Sequence, residues 1–164
     1  MHPDRARWNE KHRKGGHERP SEALVRHLSL LTPGRALDLA GGTGANAEVL
    51  ARAGYRVTLL DLSDDAVRRA RGTGVGVVQG DALRIPFRGP FETIVMTKFL
   101  ERRITPDLVR LLAPGGTLFA EQPLQGLPEA YLIRPGEFPR LFAGLECLLH
   151  VEEGGRAVFI GRKR

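Results

Sequence analysis

Residues 36–44 constrain the fold most, because an apolar run breaks there into glycines and then into a helical pattern. The run reads as a buried strand, and the glycines allow the backbone to turn tightly and to approach a ligand closely. The free N–H groups of the following helix would face that ligand. Two later predicted strands end in the acids Asp61 and Asp81, so the glycine turn is not isolated. Together these features predict a ligand-binding edge.

The whole chain, residues 1–164, is predicted to form one globular domain. It is 41% hydrophobic and 27% charged, and no apolar stretch approaches the ~20 residues of a membrane helix. Residues 1–5 have no apolar run behind their charges, which argues against a secretory signal. The single cysteine, Cys147, excludes an internal disulfide and fits a cytoplasmic location, and its apolar neighbours predict a buried thiol.

The N-terminal segment carries most of the net charge of +6. Residues 1–35 have eight Lys and Arg against four Asp and Glu, whereas the remainder has 17 against 15. A basic segment can steer an anionic partner, and it can equally be a solvated terminus. Residues 1–19 are predicted to form a basic N-terminal arm or lid, which could fold over a cofactor or lie on the surface with its tryptophan as an anchor. The side chains concerned are Trp8, Lys11, His12 and His17.

Strands and helices alternate five times, which predicts right-handed crossovers and a parallel sheet covered on both faces. The predicted strands are residues 36–40, 56–60, 75–79, 91–96 and 117–120, and the closing hairpin pairs residues 145–151 with 157–161. The predicted fold class is therefore α/β: a doubly wound, Rossmann-like, mostly parallel seven-stranded sheet with a C-terminal antiparallel hairpin. Residues 121–144 are predicted to be irregular, apart from a short helix near 138–142.

Two helices have clear boundary signals. An amphipathic helix opens at residues 20–22, and its predicted buried stripe is Leu24, Val25, Leu28 and Leu31. The helix after the second strand has Ser63 as its predicted N-cap and Gly72 as its end.

In such a sheet, ligands bind outside the C-terminal ends of the strands. Asp61 would accept hydrogen bonds from both hydroxyls of a ribose. Asp81, with the backbone at Ala82, is placed to accept one from an adenine amino group, and Asp38 would take an ammonium group directly or through water. Each acid alone would more simply cap a helix or form a turn, but three acids at corresponding strand ends favour a ligand.

Five segments, in chain order, resemble the successive motifs of the class I S-adenosylmethionine-dependent methyltransferases: ALDLAGGTG, VTLLDLS, VVQGDALRIPF, FETIVM and LLAPGGTLFAE. The resemblance spans residues 36–120 and implies S-adenosyl-L-methionine as the cofactor, with the glycines along its methionine part. Where this family often has Gly-Cys-Gly, the chain has Gly-Gly-Thr-Gly, and the absent cysteine affects nothing essential. The implied cofactor-binding residues are Asp38, Ala40, Gly41, Gly42, Gly44, Asp61, Leu62, Asp81, Ala82 and Met96.

Three shorter segments are similar to the tellurite-resistance-type methyltransferase group: WNEK at residues 8–11, FLER at 99–102 and LIRPGE at 132–137. They imply that the chain lies near that group within the family, and they imply no particular substrate. Methyl transfer is an in-line displacement at an activated sulfonium, so alignment and water exclusion can supply most of the acceleration. No metal is expected, and no catalytic residue is predicted.

The methyl group should point toward the loop after the fourth strand, so that loop is predicted to contact the acceptor. With two residues of the arm, the predicted substrate set is Thr97, Lys98, Phe99, Trp8 and His12. Four other charged residues could bind an anionic acceptor, although ordinary surface pairs are the simpler interpretation. They are Arg102, Arg103, Glu121 and Arg134.

Two other functions fit parts of the sequence. Residues 42–47 match the G-x-G-x-x-A form found in nicotinamide-dependent oxidoreductases, but the chain is short for a separate substrate domain and shows no catalytic pair. The second alternative is a non-catalytic module that keeps the cofactor pocket. With 6% aromatic residues and no separate RNA-binding unit, a small-molecule acceptor is favoured over nucleic acid. The sequence leaves the oligomeric state open.

Overall fold

The order of the strands across one sheet positions the candidate site. The computed structural model describes residues 3–15 and 18–164, and within these ranges seven strands form the sheet. They are β1 (Arg35–Leu39), β2 (Arg56–Asp61), β3 (Gly76–Gln79), β4 (Phe91–Thr97), β5 (Leu112–Pro123), β6 (Glu146–Glu153) and β7 (Arg156–Arg162). Their spatial order is β3-β2-β1-β4-β5-β7-β6. The pairs among β1 to β5 are parallel, whereas β7 is antiparallel to both β5 and β6. The predicted fold class is confirmed.

Helices flank the strands. In the described part of the chain the α-helices are α1 (Pro3–Lys14), α2 (Glu22–Arg26), α3 (Ala45–Arg52), α4 (Asp64–Ala70), α5 (Thr105–Leu111) and α6 (Glu137–Leu141). None of the helices in these ranges has the length and apolar character needed to span a bilayer.

The central strands of the sheet are buried on both faces, because neighbouring residues along a strand belong to two different apolar clusters. On β1, Leu37 lies in the cluster that contains Leu108 of α5. The preceding residue, Ala36, lies in the cluster that contains Leu50 of α3. Successive side chains of a strand point to opposite faces, so a nearly continuous apolar run is what such a strand requires.

Side-chain caps fix the start of two helices near the candidate site. Ser21 Oγ accepts a hydrogen bond from Leu24 N (3.1 Å) at the start of α2. Ser63 Oγ accepts one from Ala66 N (3.2 Å) at the start of α4, which confirms the predicted N-cap. These bonds satisfy helix N–H groups that have no partner within the helix.

Two helix predictions are wrong in detail. Val25 is 49% exposed and not part of a buried stripe, because α2 ends at Arg26 and the chain continues as a separate 3₁₀ turn at residues 28–30. Gly74 and not Gly72 adopts the left-handed conformation after α4, with φ +78°, because a 3₁₀ turn extends the helix.

The C-terminal half contains two further corrections. β5 begins at Leu112, earlier than predicted, and a register irregularity between Phe91 and Thr93 of β4 absorbs the additional residues. β5 also continues to Pro123, into residues 121–144, which the sequence predicts to be irregular. Cys147 is exposed, contrary to the predicted buried thiol, because β6 is the edge strand of the sheet.

Candidate active site

The carboxyl ends of five neighbouring strands meet along one edge of the sheet. In spatial order they carry Asp81, Asp61, Gly41, Thr97 and Glu121, and all five residues border one cavity. Its volume of about 680 Å³ lies within the usual range for a small-ligand site. The strand order divides this cavity into a β1–β3 half and a β4–β5 half.

The glycine turn after β1 leaves no room for larger side chains. A Cβ atom on Gly41 would lie 2.6 Å from Asp38 Oδ2, and one on Gly42 would lie 2.6 Å from Glu18 Oε2. Gly44, which begins α3, has φ +94°, a conformation that favours glycine. Glycine is therefore required at position 41 for steric reasons, because buried side chains lie against it, and at position 42 it is favoured by a φ of +58°.

Asp61, at the end of β2, is held by backbone donors. Gly42 N donates to its Oδ2 (2.9 Å), and Ser63 N donates to its Oδ1 (2.8 Å). Each oxygen has a second lone pair, so the carboxylate can accept two more hydrogen bonds. Burial raises the pKa of Asp61, and the two amide hydrogen bonds oppose that change.

Asp38 is fully buried on β1, beneath the glycine turn, and is not part of the cavity lining. Neither of its carboxylate oxygens forms a hydrogen bond of normal distance and angle in the described part of the chain, although the Ala47 N–H is close enough to oppose the rise in its pKa. Burial, reinforced by the charges of Asp61 and Glu18, raises the pKa of Asp38 to about 8. An unpaired buried carboxylate is costly, and a cationic group bound at the turn would relieve that cost.

Glu18 is a site residue that sequence reasoning missed. Its Oε2 accepts hydrogen bonds from Thr43 N (3.2 Å) and Thr43 Oγ1 (3.0 Å), and its Oε1 lies 3.5 Å from His12 Nδ1. No motif or periodicity marks this acid, since only the tertiary fold brings it to the glycine turn. Asp38, Asp61 and Glu18 are called the carboxylate cluster below.

The end of β3 supplies another part of the same wall. Asp81 begins a 3₁₀ turn, where its Oδ1 accepts a hydrogen bond from Leu83 N (2.8 Å). Asp81 and Ala82 both line the cavity, and the partly exposed Leu83 adds apolar surface beside them. Ala40 and Leu62 also border the cavity.

Helix α1 is fastened to the start of α4. Arg5 Nε donates to Asp64 Oδ2 (2.9 Å). Asn9 Oδ1 accepts hydrogen bonds from Ser63 Oγ (2.8 Å) and Asp64 N (2.7 Å). The hydrogen bond from Arg5 is the main cause that holds the pKa of Asp64 well below its usual range. Residues 3–14 thus form a helix beside the site.

Five residues of α1 line the cavity, among them Trp8, Lys11 and His12. Lys11 Nζ lies 4.5 Å from the centroid of the Trp8 ring, a cation–π contact. His12 is buried against Glu18, which places it in the β1–β3 half. His17 lies outside the described residues.

Arg7 joins α1 to the segment that follows β5. Its Nη1 donates to the Tyr131 hydroxyl (2.6 Å). Its guanidinium carbon lies 5.2 Å from the Tyr131 ring centroid and 5.6 Å from that of Trp8. All three side chains border the cavity, so this contact links its two walls.

Thr97, Lys98 and Phe99 line the β4–β5 half of the cavity. Thr97 Oγ1 accepts a hydrogen bond from Asn46 Nδ2 (3.0 Å). Lys98 has φ +55°, which is uncommon for a residue other than glycine, and its N–H donates to Glu121 O (3.0 Å). Such backbone strain is often found at functional loops.

Some predicted residues do not reach the cavity. Met96 is 1% exposed within the core, and Gly44 lies at the base of α3. Three of the charged residues after β4 also lie away from the cavity lining. They are Arg102, Arg103 and Arg134.

These arginines take part in contacts within the protein. Arg102 Nη2 donates to Glu137 Oε2 (2.9 Å), and the Arg134 N–H donates to the same oxygen (2.8 Å). Arg103 pairs with Glu101 (2.9 Å). The Arg102–Glu137 pair thereby joins two of the segments that resemble the tellurite-resistance group.

A doubly wound sheet with a glycine turn after β1 and acids after β2 and β3 defines a Rossmann-like, nucleoside-binding class of protein. A family model described as a methyltransferase domain matches residues 36–116. The chain belongs to the class I S-adenosylmethionine-dependent methyltransferase family, whose cofactor is S-adenosyl-L-methionine. The predicted family and cofactor are confirmed.

The chain is similar to curated proteins over part of their length. It is 36% identical over 93 residues to a demethylmenaquinone methyltransferase from Beutenbergia cavernae, covering 51% of this chain and 38% of that protein. It is 33% identical over 116 residues to a ubiquinone biosynthesis O-methyltransferase from Xanthomonas oryzae pv. oryzae, covering 63% of this chain and 48% of that protein. The chain thus spans less than half the length of these relatives.

Among solved structures, the chain resembles TehB from Haemophilus influenzae. The TM-score is 0.78 at 18% sequence identity, and the match covers 98% of this chain and 67% of that one. At this identity the likeness establishes a shared fold.

Proposed function

We propose that this protein binds S-adenosyl-L-methionine in the cavity and transfers its methyl group to a small-molecule acceptor. The observation that carries the proposal is the carboxylate cluster around the glycine turn. The cofactor carries a sulfonium and an ammonium group against a single carboxylate, so its net charge is positive. The three nearby carboxyl groups suit it, and Asp38 ionises as the cation binds. A dinucleotide would instead bring its anionic diphosphate to this turn, against the same charges.

The proposed cofactor contacts follow the strand order. Asp61 accepts hydrogen bonds from the ribose hydroxyls with the lone pairs that Gly42 and Ser63 leave unused. Asp81 and Ala82 contact the adenine at the end of β3. These roles are supported by the position of each residue on the cavity wall.

The methionine part of the cofactor would lie along the glycine turn, at Ala40, Gly41 and Gly42. Asp38 faces this turn from below, and its unpartnered carboxylate fits a nearby ammonium group, directly or through water. The ligand's positive charge would favour the ionised form of Asp38 and lower its pKa from about 8.

The bound cofactor supplies an activated methyl group and a neutral thioether leaving group. The chain itself aligns the reactants and excludes water. Helix α1 places Trp8 and His12 on the cavity wall, and the Arg7–Tyr131 contact holds α1 to the opposite side. We therefore include residues 1–19 in the proposal as a lid on a single domain of residues 1–164.

A small-molecule acceptor is supported by the size of the cavity, which must also hold the cofactor. The names of the curated relatives, which refer to demethylmenaquinone and to ubiquinone biosynthesis, point in the same direction. The particular acceptor does not follow from them.

The test is incubation of the purified protein with methyl-tritiated S-adenosylmethionine and a panel of metabolites, small RNAs and metalloid oxyanions. Transfer of label to a small molecule, with formation of S-adenosylhomocysteine, is the expected result. Cofactor binding without transfer to any acceptor would favour a non-catalytic module. Transfer confined to RNA would refute the small-molecule part of the proposal.

A further inference from the structure

Glu121, two residues before the end of β5, is a buried carboxylate that has no role in the proposed cofactor contacts. Its side chain is 7% exposed and borders the cavity. Arg156 Nη1 donates to its Oε1 (2.9 Å), and the Ser21 hydroxyl donates to its Oε2. Each oxygen therefore has a second lone pair with which to accept a hydrogen bond from a ligand.

Glu121 belongs to a hydrogen-bonded network in the wall of the β4–β5 half. Ser21 N donates to Asn46 Oδ1 (2.8 Å), and Asn46 Nδ2 donates to Thr97 Oγ1 (3.0 Å). Every member borders the cavity, including Arg156 of β7. Because the members come from five separate segments of the chain, the network fixes the Glu121 side chain before any ligand binds.

The strand order places Glu121 on the acceptor side of the reaction. From β2, which carries Asp61, to β5 there are three strand spacings, about 14 Å along the edge of the sheet. With the ribose at β2 and the methionine part at β1, the methyl group faces β4 and β5. Thr97 and Glu121 are direct partners in the β4–β5 register, so both lie where an acceptor would enter.

Stability alone gives no reason for a carboxylate at this position. Burying a charge is costly, and Arg156 is half exposed, so the ion pair recovers only part of that cost. We infer that Glu121 accepts a hydrogen bond from the methyl acceptor, whose reacting atom is therefore a hydroxyl oxygen or an amine nitrogen that carries a proton. This inference rests on the proposed methyl transfer and adds the class of acceptor to it.

The chemistry of the step balances with the groups present. The acceptor's oxygen or nitrogen uses a lone pair to form a bond to the methyl carbon. The bond between that carbon and sulfur breaks, and its electron pair stays on sulfur. The acceptor's proton passes to the Glu121 carboxylate and then to water at the cavity mouth. Halides and thiolates have no such proton, and in metalloid oxyanions the nucleophilic lone pair lies on the metalloid atom, which carries none. The negative charge of all three opposes the carboxylate.

The experiment uses the full chain with four probes: catechol, benzylamine, thiophenol and tellurite. Binding of each probe is measured by calorimetry on the protein saturated with S-adenosylhomocysteine, and transfer is measured with S-adenosylmethionine. We expect catechol or benzylamine to bind and to be methylated. Glu121→Gln should lower kcat/KM for that probe about 10- to 100-fold, mostly in kcat, because an amide cannot take the proton.

Three comparisons separate this role from a structural one. The affinity of Glu121→Gln for S-adenosylmethionine should stay within about twofold of wild type, since Glu121 lies outside the β1–β3 half. Glu121→Asp keeps the carboxylate and should retain more activity than Glu121→Gln. If the glutamine variant fails to fold, the kinetics of Glu121→Asp are compared with wild type instead. Glu146→Gln makes the same change on an exposed position of β6 and should behave as wild type.

The inference is overturned if neither catechol nor benzylamine binds, or if thiophenol or tellurite alone is methylated. It is also overturned if Glu121→Gln has wild-type kinetics. If the wild-type protein does not bind S-adenosylmethionine, the proposed function fails first, and that outcome is distinct from the other three.

Discussion

The two halves of the cavity are built in different ways. In the β1–β3 half, polar groups stand at strand ends and are fixed by backbone N–H donors, as Asp61 is by Gly42. In the β4–β5 half, long side chains from distant segments hold the wall together, as Arg7 does with Tyr131. The sheet therefore sets what can bind in the first half, and the segments that fold onto the sheet set what can bind in the second.

The largest effect is expected in the β1–β3 half. Asp61→Ala should weaken S-adenosylmethionine binding by ~1–3 kcal/mol, because hydrogen bonds to a buried charged acceptor are lost. Calorimetry measures this directly. Asp107→Ala, on the outer surface of α5, is the matched control and should leave the affinity unchanged. Equal affinities for the two variants would contradict the role of Asp61.

Asp38 should make cofactor binding depend on pH. Its pKa of about 8 means that it is protonated at pH 6 in the free protein and must ionise to face a cation. Affinity for S-adenosylmethionine should therefore rise between pH 6 and pH 8, by at most about tenfold per unit. Asp38→Asn should remove this dependence, which calorimetry at several pH values would reveal.

Asp38 should make the stability of the protein depend on pH in the opposite sense to its cofactor affinity. Because the pKa of Asp38 is raised in the folded protein, the unfolded chain loses this proton at a lower pH, near the ordinary pKa of aspartate. The free energy of unfolding of the cofactor-free protein should thus fall as pH rises from about 4 to about 8. Urea titrations of wild type and Asp38→Asn check this, and identical pH profiles would show that Asp38 is not responsible.

A smaller effect is expected behind the β4–β5 half. Arg102→Ala should lower the free energy of unfolding by about 1 kcal/mol, because the nearly buried Glu137 carboxylate loses two hydrogen bonds. Arg103→Ala removes a more exposed pair with Glu101 and should leave the midpoint of urea unfolding unchanged. If both variants behave alike, the Arg102–Glu137 pair does not hold this region.

The smallest effect concerns the link between the two halves. Tyr131→Phe removes the hydroxyl that accepts from Arg7 and should speed cofactor dissociation about two- to fivefold. Trp8, the single tryptophan of the chain, lines the cavity and reports dissociation by stopped-flow fluorescence. Tyr55→Phe removes a hydroxyl that bonds Leu31 O inside the core and should not change that rate.

The sequence distance that a contact spans explains what the sequence could predict. The alternation of strands and helices, the glycine turn and the cap at Ser63 follow from local patterns, because short-range backbone geometry determines them. Glu18 could not be predicted, since it meets Thr43, 25 positions further along the chain, only in the tertiary fold. The same holds for Arg7 and Tyr131, which are 124 residues apart.

The errors in the predicted fold have similar causes. The exposure of Cys147 depends on which strand lies at the edge of the sheet, and an apolar run does not reveal that position. The exposure of Val25 depends on where α2 ends and the 3₁₀ turn begins, and the spacing of the apolar residues does not predict that boundary.

Calorimetry of the cofactor-free protein near pH 7.5 decides whether the carboxylate cluster selects a cationic cofactor. S-adenosylmethionine and NADH are each titrated in two buffers of different ionisation enthalpy. The carboxylate cluster predicts micromolar-order binding of S-adenosylmethionine with release of a proton from Asp38, and no binding of NADH. Binding of NADH with no binding of S-adenosylmethionine would contradict the account.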